Sequence, residues 1–167
     1  MLQYISGNRI KCESPLGDIF IIQSKVIVEL NTFIQYKSFD PESGGILVGR
    51  TDKNTKAKII ESFTYPVNED KQTITSFYRS KKHNNILQNI WKQSEQFLNF
   101  QGLWHTHPED TPSPSQTDLK DIQNVFTSMQ NFHDPFLYLI VGRIRLGVWI
   151  SFRNNTNIHL GYIKIRN

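Results

Sequence analysis

Strand-like and helix-like segments interleave along this chain, and that order constrains its fold more than any other feature. Phe136-Leu137-Tyr138-Leu139-Ile140-Val141-Gly142 is its strongest strand signal. Two further strands are expected near 145–152 and 157–165. Upstream, Val26, Ile27, Leu30, Phe33 and Ile34 recur at helical spacing, so residues 25–36 read as an amphipathic helix with Ser24 as a candidate N-cap. Pro41-Glu42-Ser43-Gly44-Gly45 breaks that helix, and Ile46-Leu47-Val48-Gly49 follows as a buried strand. Strands are also expected over 59–65 and 75–79, and a second helix over 82–98 from Ile86, Leu87, Ile90, Trp91, Phe97 and Leu98. Gly102-Leu103-Trp104-His105-Thr106-His107 is a short strand stopped by Pro108. A proline-rich loop then leads to a helix that starts near Ser115. The expected product is one α/β or α+β domain spanning residues 1–167; periodicity leaves the strand order open.

Composition is consistent with such a core. The 167 residues are 38% hydrophobic and 12% aromatic, enough to fill one domain's interior and unlike a disordered chain. A single cysteine, Cys12, excludes an intramolecular disulfide framework and a four-thiolate metal site. Neither a membrane span nor a secretory leader is expected, which suits a cytoplasmic protein with no membrane partner. Nineteen basic against fifteen acidic side chains give a net charge of +4. The basic residues are scattered, so nucleic acid is not an expected partner.

The residues that carry chemistry lie around the short strand. His105 and His107 are two apart, so on a strand they project from one face and can converge on one ion. Asp118, at the loop-to-helix junction, can fold back as a third ligand. Three protein ligands leave a tetrahedral zinc open to water, the arrangement of a catalytic site. Glu42, ahead of the Gly44-Gly45 turn, is the candidate general acid/base. The Ser115 hydroxyl is a candidate donor to an oxyanion. Each residue also has an ordinary reading. Ser115-Gln116-Thr117-Asp118 has the form of a capping box, the histidines suit a hydrogen-bonded core, and Glu42 suits a solvated surface. Capping and ligation are compatible. His83, His133 and His159 have no motif partners and read as surface or structural residues. Cys12 has no histidine at an interpretable spacing, which excludes a cysteine peptidase. Strand alternation turns Trp104 and Thr106 away from the two histidines, so Trp104 reads as core. Phe77-Tyr78-Arg79 offers either core packing for Phe77 or a strand edge for an extended peptide.

Taken together, Glu42 before Gly44-Gly45, His105-Thr106-His107-Pro108, and Ser115-Gln116-Thr117-Asp118 resemble the JAB/MPN family of JAMM metallopeptidases. Seven residues separate His107 from Ser115, the family spacing, and the likeness spans roughly residues 17–150. The resemblance implies a cytidine-deaminase-like core: a mixed curved sheet flanked by two or three helices. It implies a Zn2+-dependent isopeptidase in which His105, His107 and Asp118 bind the metal, Glu42 moves the proton and Ser115 steadies water or oxyanion. No required position is substituted, which argues against a non-catalytic MPN scaffold. The expected substrate is a protein with an extended C-terminal tail, either a ubiquitin-like modifier or a conjugated nucleotidyltransferase. The stretch from Gly102 to Glu109 looks most like compact prokaryotic members from ubiquitination-like operons, including the group that accompanies CBASS antiphage systems. A DNA-repair-associated JAB-like domain is the remaining alternative, resting on net charge alone.

Overall fold

A computed structural model of the chain describes residues 1–165. Its centre is a nine-stranded mixed sheet in the order β1-β2-β3-β5-β4-β8-β9-β10-β11. These are β1 (Leu2–Ile5), β2 (Arg9–Glu13), β3 (Ile19–Ile22), β4 (Gly44–Thr51), β5 (Lys58–Phe63), β8 (Asn99–Thr106), β9 (Phe136–Val141), β10 (Arg145–Ser151) and β11 (Asn157–Lys164). Between β5 and β8 lie a separate hairpin, β6 (Lys71–Thr73) and β7 (Ser76–Tyr78), and the helix α2 (Lys82–Gln93). Helix α1 (Ser24–Leu30) precedes β4 and α3 (Gln116–Ser128) precedes β9. The pairs β3–β5 and β8–β9 are parallel and the others antiparallel. The sheet curls until its two edges meet: a Cβ on Gly161 of β11 would lie 3.3 Å from the Leu2 side chain of β1. The expected mixed curved sheet flanked by two or three helices is what forms, with three helices.

The curl explains the unbroken apolar run of β9. Leu137, Leu139 and Val141 face the concave core with Val26 and Leu30 of α1, while Phe136, Tyr138 and Ile140 face the convex core beneath α3. A strand covered on both faces has no position left for polar alternation. The same alternation in β8 sends Trp104 into the concave core, where its Nε1 donates to Thr64 O at 3.1 Å. Leu103 lies in the convex core, and His105 follows it onto that face.

Two helix boundaries differ from the sequence expectation. Helix α1 stops at Leu30 and continues only as a 3-10 turn over Asn31–Phe33; Thr32 Oγ1 bonds the Glu29 carbonyl there. Ser24 is its first helical residue, and the capping position is Gln23, without a side-chain cap. Helix α2 stops at Gln93 because Glu95 and Gln96 take positive φ, 54° and 67°, and Ser94 Oγ accepts from Leu98 N. Strands β1 to β3 and β6 were not expected.

Gly45 marks a tight passage near the histidines. A Cβ there would lie 2.2 Å from Thr64 O and 2.8 Å from the Trp104 indole nitrogen. Gly45→Ala is therefore expected to cost about 1–3 kcal/mol through overpacking, read as a lowered Tm. An unchanged Tm would show that the β4–Thr64 approach is looser than its geometry implies.

Candidate active site

The site is assembled by pairing β4 with β8. Gly44 lies opposite His105, Ser43 N donates to Thr106 Oγ1 at 2.9 Å, and Thr106 N donates to Ser43 O at 2.8 Å. This clamp brings Glu42 alongside the end of β8, with Glu42 Oε1 4.0 Å from His107 Nε2. Thr106, turned to the opposite face from the histidines, thus positions the strand that delivers Glu42.

His105 and His107 converge as their spacing predicts. Their Nε2 atoms are 2.9 Å apart. Asp118 straddles them, with Oδ1 3.2 Å from His105 Nε2 and Oδ2 3.2 Å from His107 Nε2. The capping box also forms. Ser115 N donates to Asp118 Oδ2 at 2.6 Å, and Asp118 N donates to Ser115 Oγ at 3.2 Å. One carboxylate thus serves both helix cap and cluster. The ligand-type atoms of His105, His107 and Asp118 all lie within 4.8 Å of one another.

Two imidazole nitrogens and one carboxylate suit zinc, and the spacing tests the fit. Zn–N bonds of about 2.0–2.1 Å at a tetrahedral angle place two nitrogens about 3.3 Å apart. The observed 2.9 Å reaches that with a few tenths of an ångström of ring movement. On the outer side, Glu109 Oε2 lies 3.6 Å from His107 Nδ1, an electrostatic contact just beyond hydrogen-bond reach.

The electrostatics are those of a buried charged cluster. Burial lowers the pKa of His105, against the pull of Asp118. At His107 burial is outweighed by Asp118 and Glu42, and the pKa rises. Burial opposes the ionised Asp118, but the two histidines and the Ser115 amide hold its carboxyl well below the usual range. Glu42, only 4% exposed, is pushed up to about 7 by burial, with His107 opposing and Asp118 and Glu109 reinforcing. A carboxyl near 7 is matched to proton transfer at neutral pH.

Glu42, His107, Ser115 and Asp118 line one cleft of about 170 Å³, together with Phe77 and Ser76 of β7. His105 sits behind it, its ring 5.3 Å from that of Tyr138. Sequence reasoning assigned no site role to Glu109, Thr106 or the hairpin strand β6. Nor did it pair Arg79 with Asp121, which bond at 3.0 and 3.1 Å beside the cluster. Asp121, three residues beyond Asp118, was findable from helical spacing. Of the other histidines, His83 is fully buried, His133 is exposed and His159 stacks on Trp149. Cys12 is buried and its thiol pushed up to about 12 by burial, so it is no nucleophile.

Residues 34–155 match the family described as prokaryotic homologs of the JAB domain. A protein of Escherichia coli (strain TW11681) named CD-NTase/cGAS isopeptidase is 31% identical over 140 residues, 83% of this chain and 84% of its own. Its namesake from Pseudomonas aeruginosa (strain BWHPSA011 / Pa011) is 35% identical over 118 residues, covering 68% and 73%. One from Vibrio cholerae serotype O1 is 29% identical over 126 residues, covering 75% and 77%. A solved structure of a Desulfitobacterium hafniense protein shares the fold, with a TM-score of 0.57 at 17% identity over 83% of this chain and 87% of that one.

Proposed function

The chain belongs to the prokaryotic JAB-domain family, and from that premise we propose that it is a zinc-dependent isopeptidase. The observation that carries the reading is the convergence of His105, His107 and Asp118, with Glu42 4.0 Å from His107. His105, His107 and Asp118 would hold the metal. When bound, zinc supplies a Lewis acid for a scissile carbonyl and lowers the pKa of water. Glu42, buried and near neutrality, takes a proton from the attacking water and returns it to the leaving amine. Ser115 Oγ accepts from Asp118 N through a lone pair, which leaves the hydroxyl proton free to donate to an oxyanion.

The substrate we propose is a protein joined to a lysine through its own extended C-terminal tail. The names of the relatives from E. coli, P. aeruginosa and V. cholerae support a CD-NTase as that protein, in a CBASS-like defence setting. A narrow cleft beside residues 108–114 suits a thin tail better than a folded body. Among the described residues β7 pairs only with β6, so its other edge is available to an extended strand. Among those residues no helix is long and apolar enough to cross a membrane.

The deciding experiment is cleavage by the purified protein of a panel of lysine conjugates, CD-NTase and ubiquitin-like, with metal content measured in parallel. About one zinc per chain with release of the free C-terminus is the expected result. Zinc binding without cleavage of any conjugate would favour a scaffold. A well-folded protein without zinc would sink the mechanism.

A further inference from the structure

Behind the candidate site, a threonine, a histidine and an aspartate stand in line. Thr64 Oγ1 is 2.6 Å from His83 Nδ1, and His83 Nε2 is 2.9 Å from Asp70 Oδ2. The side chains of His83 and Asp70 have no solvent exposure. The residue types are those of a hydrolytic triad. Yet Thr64 is only 3% exposed and its Oγ1 already accepts from Ile46 N at 2.8 Å. With no route for a substrate, the group acts by position.

What it positions is the hairpin β6–β7. Asp70 gathers both sides of the hairpin's base: Oδ2 accepts from Val67 N and Oδ1 from Ser80 N, each at 2.8 Å. Three-residue strands are too short to hold shape unaided, and every residue of β6 is exposed. The hairpin nonetheless grips Glu42 by both backbone polar groups. Glu42 N donates to Thr73 O at 2.8 Å, and Gln72 Nε2 donates to Glu42 O at 2.9 Å. The turn is tied as well, since buried Gln35 donates from Nε2 to Ile74 O at 3.0 Å. Phe77 fills the space between, its ring edge-on to His83 at 6.4 Å. The ring packs so close to Gly44 that a Cβ there would lie 2.6 Å away.

We propose that Asp70 and His83 are positioning residues for Glu42: the buried pair anchors the hairpin, and the hairpin fixes the Glu42 backbone so that its carboxylate stays beside His107. Glu42 precedes two glycines, a stretch with little stiffness of its own. A misplacement of about 1 Å at a reacting group can cost about a hundredfold in rate. The catalytic half of this inference rests on the acid/base reading of Glu42; the structural half does not.

The test uses Asp70→Ala and Gln72→Ala, the second removing only an exposed donor to Glu42 O. In metal-free protein, amide hydrogen exchange at Glu42 is expected to speed up about tenfold or more in both variants, with β9 amides unchanged. With metal, kcat on the preferred conjugate is expected to fall about tenfold or more at unchanged KM and zinc content. A purely structural role would lower Tm and leave kcat per folded molecule untouched. Glu42 protection and kcat within twofold of wild type would overturn the proposal. So would loss of protection spread evenly over β4, β8 and β9. Should Asp70→Ala not fold, Asp70→Asn takes its place and is read in the same way, since Gln72→Ala by itself reports only on the hairpin's grip on Glu42. A wild type without isopeptidase turnover would overturn the functional reading alone, because hydrogen exchange still reports on the hairpin.

Discussion

Glu42→Gln is expected to lower isopeptidase turnover by about 10²- to 10⁴-fold, the usual contribution of a positioned general acid/base. The substitution keeps shape and hydrogen-bonding capacity but removes the proton acceptor. The carboxylate is buried, and His107 Nε2 lies 4.0 Å from it, beyond hydrogen-bond reach. Burial favours the neutral carboxyl, which is why its pKa rises to about 7. A neutral amide relieves that cost, so metal-free Glu42→Gln is expected to melt no lower than the metal-free wild type, while zinc content stays the same. The combination separates chemistry from folding: activity falls while Tm holds or rises. Turnover within threefold of wild type, with zinc present, would remove Glu42 from the mechanism.

The paired variant His105→Ala/His107→Ala carries the second large effect. Zinc is expected to drop from about one per chain to none, and turnover to vanish with it. The fold should survive, because helix α3 keeps its capping box between Ser115 and Asp118 and its apolar face on Ile122, Val125 and Phe126. What changes besides the metal is Asp118, whose carboxyl the two histidines hold low. Without them it should titrate closer to an ordinary aspartate, a change that carbon-13 NMR of the carboxyl would follow. Wild-type zinc affinity in the double variant would refute the ligand assignment, whatever the activity.

Features with short-range causes were legible in the sequence. Trp104 was readable as core because period-two alternation sets it opposite the histidines, and it lies in the concave core. Ser115 and Asp118 were readable as a capping box because that motif closes within one helical turn. The fully apolar β9 was readable as a strand, and the sheet that covers both its faces accounts for the run. Elsewhere the local signal was weak. Strand β1 buries no residue, and β2 alternates partly buried and buried positions, but with only Ile10 and Cys12 as inward apolar residues over five positions it is too short to stand out. The end of α2 was hidden because Glu95 and Gln96 take left-handed conformations that usually call for Gly or Asn.

His83 shows where sequence reasoning stops. It had no visible partner because Asp70 lies thirteen positions before it and Thr64 nineteen. Only the fold of residues 64–83 into a closed loop over β4 brings the three together.

By itself, the sequence determined the chemistry within reach of a single strand or turn: two imidazoles on one face, a carboxylate at a helix start, and a glutamate before paired glycines. The tertiary structure alone decided that Glu42 stands 4.0 Å from His107 and that a short hairpin grips its backbone. That division has a physical cause. Side-chain periodicity is a property of neighbouring residues, whereas the pairing of β4 with β8 joins residues 50 to 61 positions apart. Such a pairing is selected by the hydrogen bonds and burial of the whole sheet, which no local pattern encodes.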